Sequence, residues 1–156
     1  MIALLVAAAA LLVFAGVAKV VHPDDTARAL RVSPQLVRAA AAVEAAIGAA
    51  ALFTGPVLEY AVAASYTGFG VFVLVSVRRG TPLSSCGCFG EPDTPPTVSH
   101  GLVDLMLAAG SFASAGSSSR SAAARLDIPT IAVAAIVAGL GYLVMSRLPR
   151  LRASHP

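Results

Sequence analysis

Long apolar runs separated by short polar segments form the pattern of this chain. A helix needs about 20 predominantly apolar residues to cross a bilayer, and five runs reach or approach that length. The five predicted transmembrane helices cover residues 2–21, 36–53, 57–77, 100–115 and 128–146. The pattern therefore predicts an all-α, multi-pass integral membrane protein.

Capping residues mark several of the predicted helix ends. Ser33 and Pro34 suit the N-cap and the first position of a helix. Gly55 and Pro56 end the second span, because Gly ends helices readily and Pro cannot continue one. The second and third spans are thus predicted to form an antiparallel hairpin. Residues 22–35 are a polar connection. Pro23 and two acids near its beginning predict a helix start, followed by a short amphipathic turn on the membrane surface.

The first apolar run resembles a signal peptide in position. We expect it to be retained as a helix, because no basic region precedes it and it is longer than a usual signal sequence. Lys19 lies near its end. Its long side chain is predicted to snorkel to the membrane interface.

Small residues recur inside the spans. Lipid gives helices no hydrophobic reason to associate, so small residues are predicted to mark close helix contacts. The set consists of Ala42, Ala46, Ala50, Gly68, Gly70, Gly139 and Gly141.

Composition agrees with a membrane protein. The 156 residues are 57% hydrophobic and only 12% charged, whereas soluble domains carry about 25% charged residues. The lipid bilayer is therefore a predicted partner. Nucleic acid is not, because the basic residues form no clustered face. Ten of the eleven basic residues are Arg, which together with abundant Ala and Gly suggests a bacterial origin and hence the bacterial plasma membrane.

The only two cysteines, Cys86 and Cys88, lie in the long polar loop at residues 78–99. Residues two apart can reach the roughly 4.4–6.8 Å Cα separation of a disulfide, and Gly87 accepts backbone angles that other residues resist. A strained or exposed disulfide is easily reduced, which favours redox cycling. A soft-metal site and inert loop cysteines are the alternatives. A closed zinc site is disfavoured, because four ligands are normally needed.

Other residues are candidates to support the cysteine pair. Nearby cations lower a thiol pKa, and Lys19 and His100 are predicted on the same side of the membrane. Asp104 follows His100 by four residues and so shares its helix face. Phe89 and Gly90 complete the loop motif, with Phe89 predicted at the interface.

Glu44 falls inside the second span. A charge near mid-membrane costs about 2.5–3.5 kcal/mol on insertion scales and requires a partner, a proton or a cavity. It is either a proton or quinone site, or a neutral acid hydrogen-bonded between helices. Glu59 lies near a helix start, where an acid is favoured in any case.

The positive-inside rule bears on the position of the cysteine loop. With five spans, the side that carries the loop holds nine basic residues and the other side holds two. The rule predicts that the nine-residue side, with the cysteines, is cytoplasmic. Cytoplasmic disulfides are usually transient and catalytic.

Three segments together resemble the MauE methylamine-utilisation family, which is related to the DoxX-like membrane proteins. The chain carries Ala15-Gly16-Val17-Ala18-Lys19, then Val43-Glu44-Ala45-Ala46-Ile47-Gly48, then Cys86-Gly87-Cys88-Phe89-Gly90. Val98-Ser99 and the region of Asp104 are also similar. The resemblance covers about residues 2–115, and its most specific part is the cysteine motif.

The resemblance implies a four-helix membrane bundle with a thiol-redox role. In the family this role is associated with disulfide formation in methylamine dehydrogenase outside the cytoplasmic membrane, which is the opposite face to that predicted from the charges. The expected organisation is a bundle at 1–116, a linker at 117–127, an additional helix at 128–146 and a basic tail at 147–156.

Three functions follow as hypotheses. The first is a thiol–disulfide relay through Cys86 and Cys88 to or from a thioredoxin-like partner, a redox enzyme or a quinone. One cysteine pair instead of the two used by familiar quinone-linked oxidases favours a partner protein or a simpler relay. The alternatives are a non-enzymatic membrane scaffold and a soft-metal-handling protein.

Overall fold

The computed structural model describes residues 1–80, 97–117 and 120–146, and within them the chain is helical, with no strand. These described residues contain six helices: α1 Ile2–Val21, α2 Pro23–Leu30, α3 Pro34–Thr54, α4 Pro56–Arg78, α5 Val98–Ser117 and α6 Ile128–Ser146. A 3₁₀ turn, Ala123–Arg125, lies between α5 and α6.

The helices form an all-α integral membrane bundle, as predicted. Four of them, α1, α3, α4 and α5, are long and apolar enough to cross a membrane. The segment predicted as a fifth transmembrane helix forms α6, but its apolar part, Ile128–Val144, is shorter than the four candidate spans. Large apolar side chains such as Phe53, Val57 and Phe112 point outward, which suits a surface that contacts lipid.

The predicted helix ends are largely confirmed. The Ser33 hydroxyl accepts a hydrogen bond from the Leu36 amide at 3.2 Å, and Pro34 follows as the first helical residue. Gly55 has a φ of 92°, a conformation that side chains resist, and separates α3 from α4. The fifth helix, α5, extends two residues beyond each end of the predicted span at 100–115.

α1 lies inside the bundle and packs against α3, α4, α5 and α6, while α4 pairs with α5. Two glycines allow α1 and α3 to approach closely. A Cβ atom on Gly16 would lie 2.7 Å from the Ala41 carbonyl oxygen, and one on Gly48 would lie 2.8 Å from the Ala9 carbonyl oxygen. The two backbones therefore touch at both positions, which any larger residue would prevent.

The predicted small-residue contacts were only partly right. Gly70 packs against α5, where a Cβ atom would lie 3.1 Å from the Gly101 carbonyl oxygen. Gly68 and Gly139 have nothing near them within 4 Å, and Ala42 and Ala46 are exposed. Spacing alone was a poor guide here, because it does not tell which face of a helix meets a neighbour.

The bundle has two ends that differ in chemistry. At one end, α1 and α4 finish while α3 and α5 begin, so residues 81–96 connect α4 to α5 there. We call this the loop end. α2 also lies there, packed against α1 and α3. The opposite end, called the far end, carries the turn at Gly55 and the start of α6.

Asp127 caps the start of α6 at the far end. Its Oδ1 accepts a hydrogen bond from the Thr130 amide at 2.8 Å. Hydrogen bonds from Thr130, first from its side chain and then from its backbone, hold the pKa of Asp127 below its ordinary value of 3.8. The carboxylate is therefore the form that stabilises this helix end.

Candidate functional site at the loop end

An ion pair between Lys19 and Glu44 joins α1 to α3. Lys19 is buried and so points into the bundle, and the prediction that it snorkels to the interface was wrong. The physical reason is Glu44, which lies about 15 Å along α3 at 1.5 Å per residue. Two paired charges are tolerated inside a membrane protein where either one alone is expensive.

Aromatic side chains of α4 surround the ion pair. The Lys19 ammonium lies 5.5 Å from the centre of the Phe69 ring, within the range of a cation–π contact. Tyr66 meets Phe69 edge to face at 6.0 Å between ring centres, and its hydroxyl donates to the Ala8 carbonyl at 2.9 Å. These contacts fix the rings that face the ion pair.

His100 and Asp104 lie on one buried face of α5, as their spacing predicted. The Thr97 amide donates to His100 Nδ1 at 3.1 Å, and the Thr97 hydroxyl lies 2.7 Å from the same nitrogen. A ring nitrogen that accepts a hydrogen bond carries no proton, so neutral His100 holds its proton on Nε2.

A cavity of about 500 Å³ brings three of the predicted residues together. Lys19, Glu44 and Asp104 all line it, and the rest of its wall is mostly apolar. His100 lies one helical turn before Asp104, in the first turn of α5. The five loop candidates, Cys86, Gly87, Cys88, Phe89 and Gly90, lie outside the described residues.

Sequence reasoning missed other residues of this cavity. Thr26 of α2, Tyr66 and Phe72 also line it. Thr26 was not named because its segment was predicted to be a short amphipathic turn on the membrane surface. The amphipathic pattern was itself the available signal, since it gives α2 a face that must cover something.

A second buried ion pair lies at the far end. Glu59 is fully buried and pairs with Arg125, which also donates to the Ser114 hydroxyl at 3.0 Å and to the Ser114 carbonyl at 3.3 Å. Glu59 does lie in the first turn of α4, as predicted. Its ion pair with Arg125 of the linker was missed. The available signal was that the predicted topology places this acid and this Arg on the same side of the membrane.

No group of three or more His, Cys, Asp or Glu side chains that could hold a metal ion occurs in residues 1–80, 97–117 and 120–146. The cysteines are outside that range. The soft-metal hypothesis therefore rests on the sequence of the loop alone.

Comparison with models of known protein families matches residues 1–117 to the family described as methylamine utilisation protein MauE. The matched region ends with the last residue of α5, so α6 is an addition to the matched core. Neither the curated proteins nor the solved structures contain a match to this chain.

Proposed function

The chain belongs to the MauE family of methylamine utilisation proteins, and on this premise we propose that it is a membrane thiol–disulfide protein whose reactive pair is Cys86 and Cys88. The pair exchanges electrons with a partner protein, either a thioredoxin-like protein or a redox enzyme in maturation. In this scheme the loop carries the reactive pair and the helices anchor it in the membrane.

One observation carries the proposal: ionisable side chains lie inside the half of the bundle at the loop end. Lys19, His100 and Asp104 are buried there, and Lys19 is paired with Glu44, which lies midway along α3. Ionisable groups inside a membrane protein are expensive and mark functional sites by default. Well-packed apolar side chains would stabilise the bundle as well as buried charges do, so a structural role alone does not explain these residues.

The exchange balances as two thiol–disulfide steps. In the direction of client oxidation, a client thiolate attacks the Cys86–Cys88 disulfide, so that a mixed disulfide forms and one loop thiolate leaves. A second client thiolate then attacks the mixed disulfide and releases the other loop cysteine. The client loses two electrons and the pair gains two, which a quinone or a thioredoxin-like disulfide must take up. The same steps in reverse reduce a client.

The buried groups have assigned tasks in this scheme. The Lys19 ammonium supplies a positive charge in this half of the bundle, and a nearby positive charge favours the thiolate form of a cysteine. His100 lies in the first turn of α5, with Asp104 one turn further in, and both are proposed to orient the start of α5 beside the loop. Both are therefore positioning residues.

Trapping of the mixed disulfide tests the proposal. In Cys86→Ser, Cys88 has no resolving partner, and in Cys88→Ser the same holds for Cys86. We expect at least one of these variants to accumulate a covalent complex with a client, which appears on a non-reducing gel and disappears with dithiothreitol. Ser85→Ala, one residue away, is the matched control and should form none.

The alternatives give different results in the same cells. A scaffold keeps its effect on the client in the Cys86→Ala, Cys88→Ala double variant, and no trapped complex forms. A soft-metal handler co-purifies with metal in amounts that fall when both cysteines are removed. Either result would overturn the thiol–disulfide proposal.

The face of the membrane is a separate proposal with its own test. Arg28, Arg31, Arg38, Arg78 and Arg79 lie at the loop end of the described chain, which favours the cytoplasm. The family's association with disulfide formation favours the outside. Labelling of intact cells with a membrane-impermeant thiol reagent distinguishes them: Cys86 and Cys88 react before lysis only if the loop faces outward.

A further inference from the structure

Two residues that line the cavity under α2 carry hydrogen-bond donors with too few acceptors. Thr26 is 4% exposed, and its hydroxyl has no hydrogen-bond partner among the described residues. Other hydroxyls of the bundle bond to the carbonyl four residues earlier, for example Thr67 to Ala63 and Ser111 to Leu107, both at 2.8 Å. Thr26 makes no such bond, although a buried hydroxyl left unsatisfied is unfavourable.

Lys19 is the second donor. Its ammonium has three N–H groups, and within the described chain its acceptor is the Glu44 carboxylate. Thr26 and Lys19 line the same cavity. A molecule that satisfies both must present acceptor oxygens.

The charge balance of the cavity excludes an anion as the preferred occupant. The Glu44 and Asp104 carboxyl groups and the single Lys19 ammonium line it. Because the ammonium is already paired with Glu44, a carboxylate or phosphate would enter with no free positive charge to meet it. The acceptor oxygens therefore belong to a neutral molecule.

The remaining wall requires an apolar and flat occupant. Phe69 and Phe72 line the cavity beside leucines and alanines, and aromatic rings stack favourably on aromatic rings. Leu36 and Phe72 both line the cavity and are exposed on the outside of the bundle. They mark a mouth toward lipid through which an apolar tail can extend. A cavity of about 500 Å³ falls within the usual range of small-molecule sites.

We propose that this cavity binds a neutral, lipid-soluble ring compound of the quinone class. A carbonyl oxygen accepts from the Thr26 hydroxyl and the Lys19 ammonium, the ring lies against Phe69 and Phe72, and the tail leaves past Leu36. Binding does not depend on the cysteines. Only its consequence, that the bound quinone accepts two electrons and two protons from the cysteine pair, rests on the proposed function.

Direct binding tests the site with the full-length protein in lipid nanodiscs. Decylubiquinone is titrated by calorimetry, and decylbenzene, which has a ring and tail but no carbonyl oxygens, is the ligand control. We expect saturable binding of decylubiquinone and none of decylbenzene. Equal binding of both compounds, or tighter binding of palmitate, would overturn the proposal in favour of lipid partition or of an anion site.

Two variants locate the site. Thr26→Val keeps the shape of the side chain and should weaken binding about fivefold to tenfold, the loss expected for one hydrogen bond. Thr67→Val is its control, since the Thr67 hydroxyl is already bonded to Ala63, and it should bind as the parent does. Parent-like affinity in Thr26→Val would refute the assigned donor.

Blocking the cavity gives an independent answer. Ala40→Trp places an indole in the cavity wall and should abolish binding, whereas Ala39→Trp, on the neighbouring exposed position outside the wall, should not. The Cys86→Ser, Cys88→Ser double variant should bind as the parent does. If the protein binds decylubiquinone but no mixed disulfide can be trapped, the thiol role alone is refuted. If a mixed disulfide is trapped but decylubiquinone does not bind, the quinone site alone is refuted.

Discussion

Removing either charged side chain of the Lys19–Glu44 ion pair should destabilise the bundle. Lys19→Met leaves the Glu44 carboxylate without its cation, and Glu44→Gln leaves the ammonium without its anion. Removing one partner of a buried pair costs about 3–5 kcal/mol, while exposed pairs contribute about 0–1 kcal/mol. The side chains here are 9% and 20% exposed. We therefore expect each single variant to lose about 2–3 kcal/mol of unfolding free energy.

The double variant Lys19→Met, Glu44→Gln measures the interaction energy between the two side chains. It removes both charges and leaves no buried ion unpaired, so it should lose clearly less than the two single variants added together. Neighbouring residues in one network usually couple by about 0.5–3 kcal/mol, and the pair should fall in the upper half of that range.

Reversible unfolding of the purified protein in mixed micelles measures these free energies. Loss of helical circular dichroism with rising dodecyl sulfate gives the four unfolding curves of the cycle. Single-variant losses that simply add in the double variant would show that Lys19 and Glu44 do not interact, and would refute the ion pair as the reason for Lys19 pointing inward.

The remaining predictions concern the far end and the packing of α1. Arg125→Met leaves fully buried Glu59 unpaired and should cost about 3–5 kcal/mol in the same unfolding assay; a loss near zero would contradict a structural role for this pair. Gly16→Ala forces a Cβ atom against α3 and should destabilise by about 1–3 kcal/mol, whereas Gly68→Ala, in open space, should stabilise by about 0.5–1 kcal/mol; effects of equal sign would contradict the described helix contacts. Because the folded pKa of Asp127 is lowered, its stabilising contribution is present above pH 3.8 and is lost as pH falls through the folded pKa. Asp127→Asn should remove that part of the acid dependence of thermal unfolding.

Hydropathy and local capping predicted most of the fold. The spans and the turn at Gly55 followed from residue types that act within a few positions of themselves, such as Ser33 as a cap and Pro56 as a helix start. Such effects are local, so a sequence carries them directly. Helix contacts are not local, and for that reason Gly16 and Gly48, which occupy the α1–α3 contact, were absent from the predicted set.

The candidate site was predicted in its members but not in its pairing. Lys19, Glu44, His100 and Asp104 were each named from the sequence as candidate residues. The sequence separation of 25 residues between Lys19 and Glu44 gives no hint of their contact, because it depends on how α1 and α3 pack. The same holds for Glu59 and Arg125, which are 66 residues apart.

The cavity could not be predicted at all. It arises from four helices and from α2, which closes over it with Thr26 facing inward. The sequence showed α2 as an amphipathic segment, and an amphipathic pattern does not distinguish a helix that rests on lipid from one that covers a cavity.

The redox state of the Cys86–Cys88 pair tests the central claim most directly. Membranes that contain the native protein are equilibrated in dithiothreitol and glutathione buffers of stepped potential, quenched in acid and alkylated, and the loop peptide is weighed by mass spectrometry. A thiol–disulfide protein should titrate as a two-electron couple, with a tenfold change in the ratio of oxidised to reduced pair for every 30 mV or so, between roughly −120 and −320 mV. A pair that stays wholly reduced, or wholly oxidised, across that range would contradict the account.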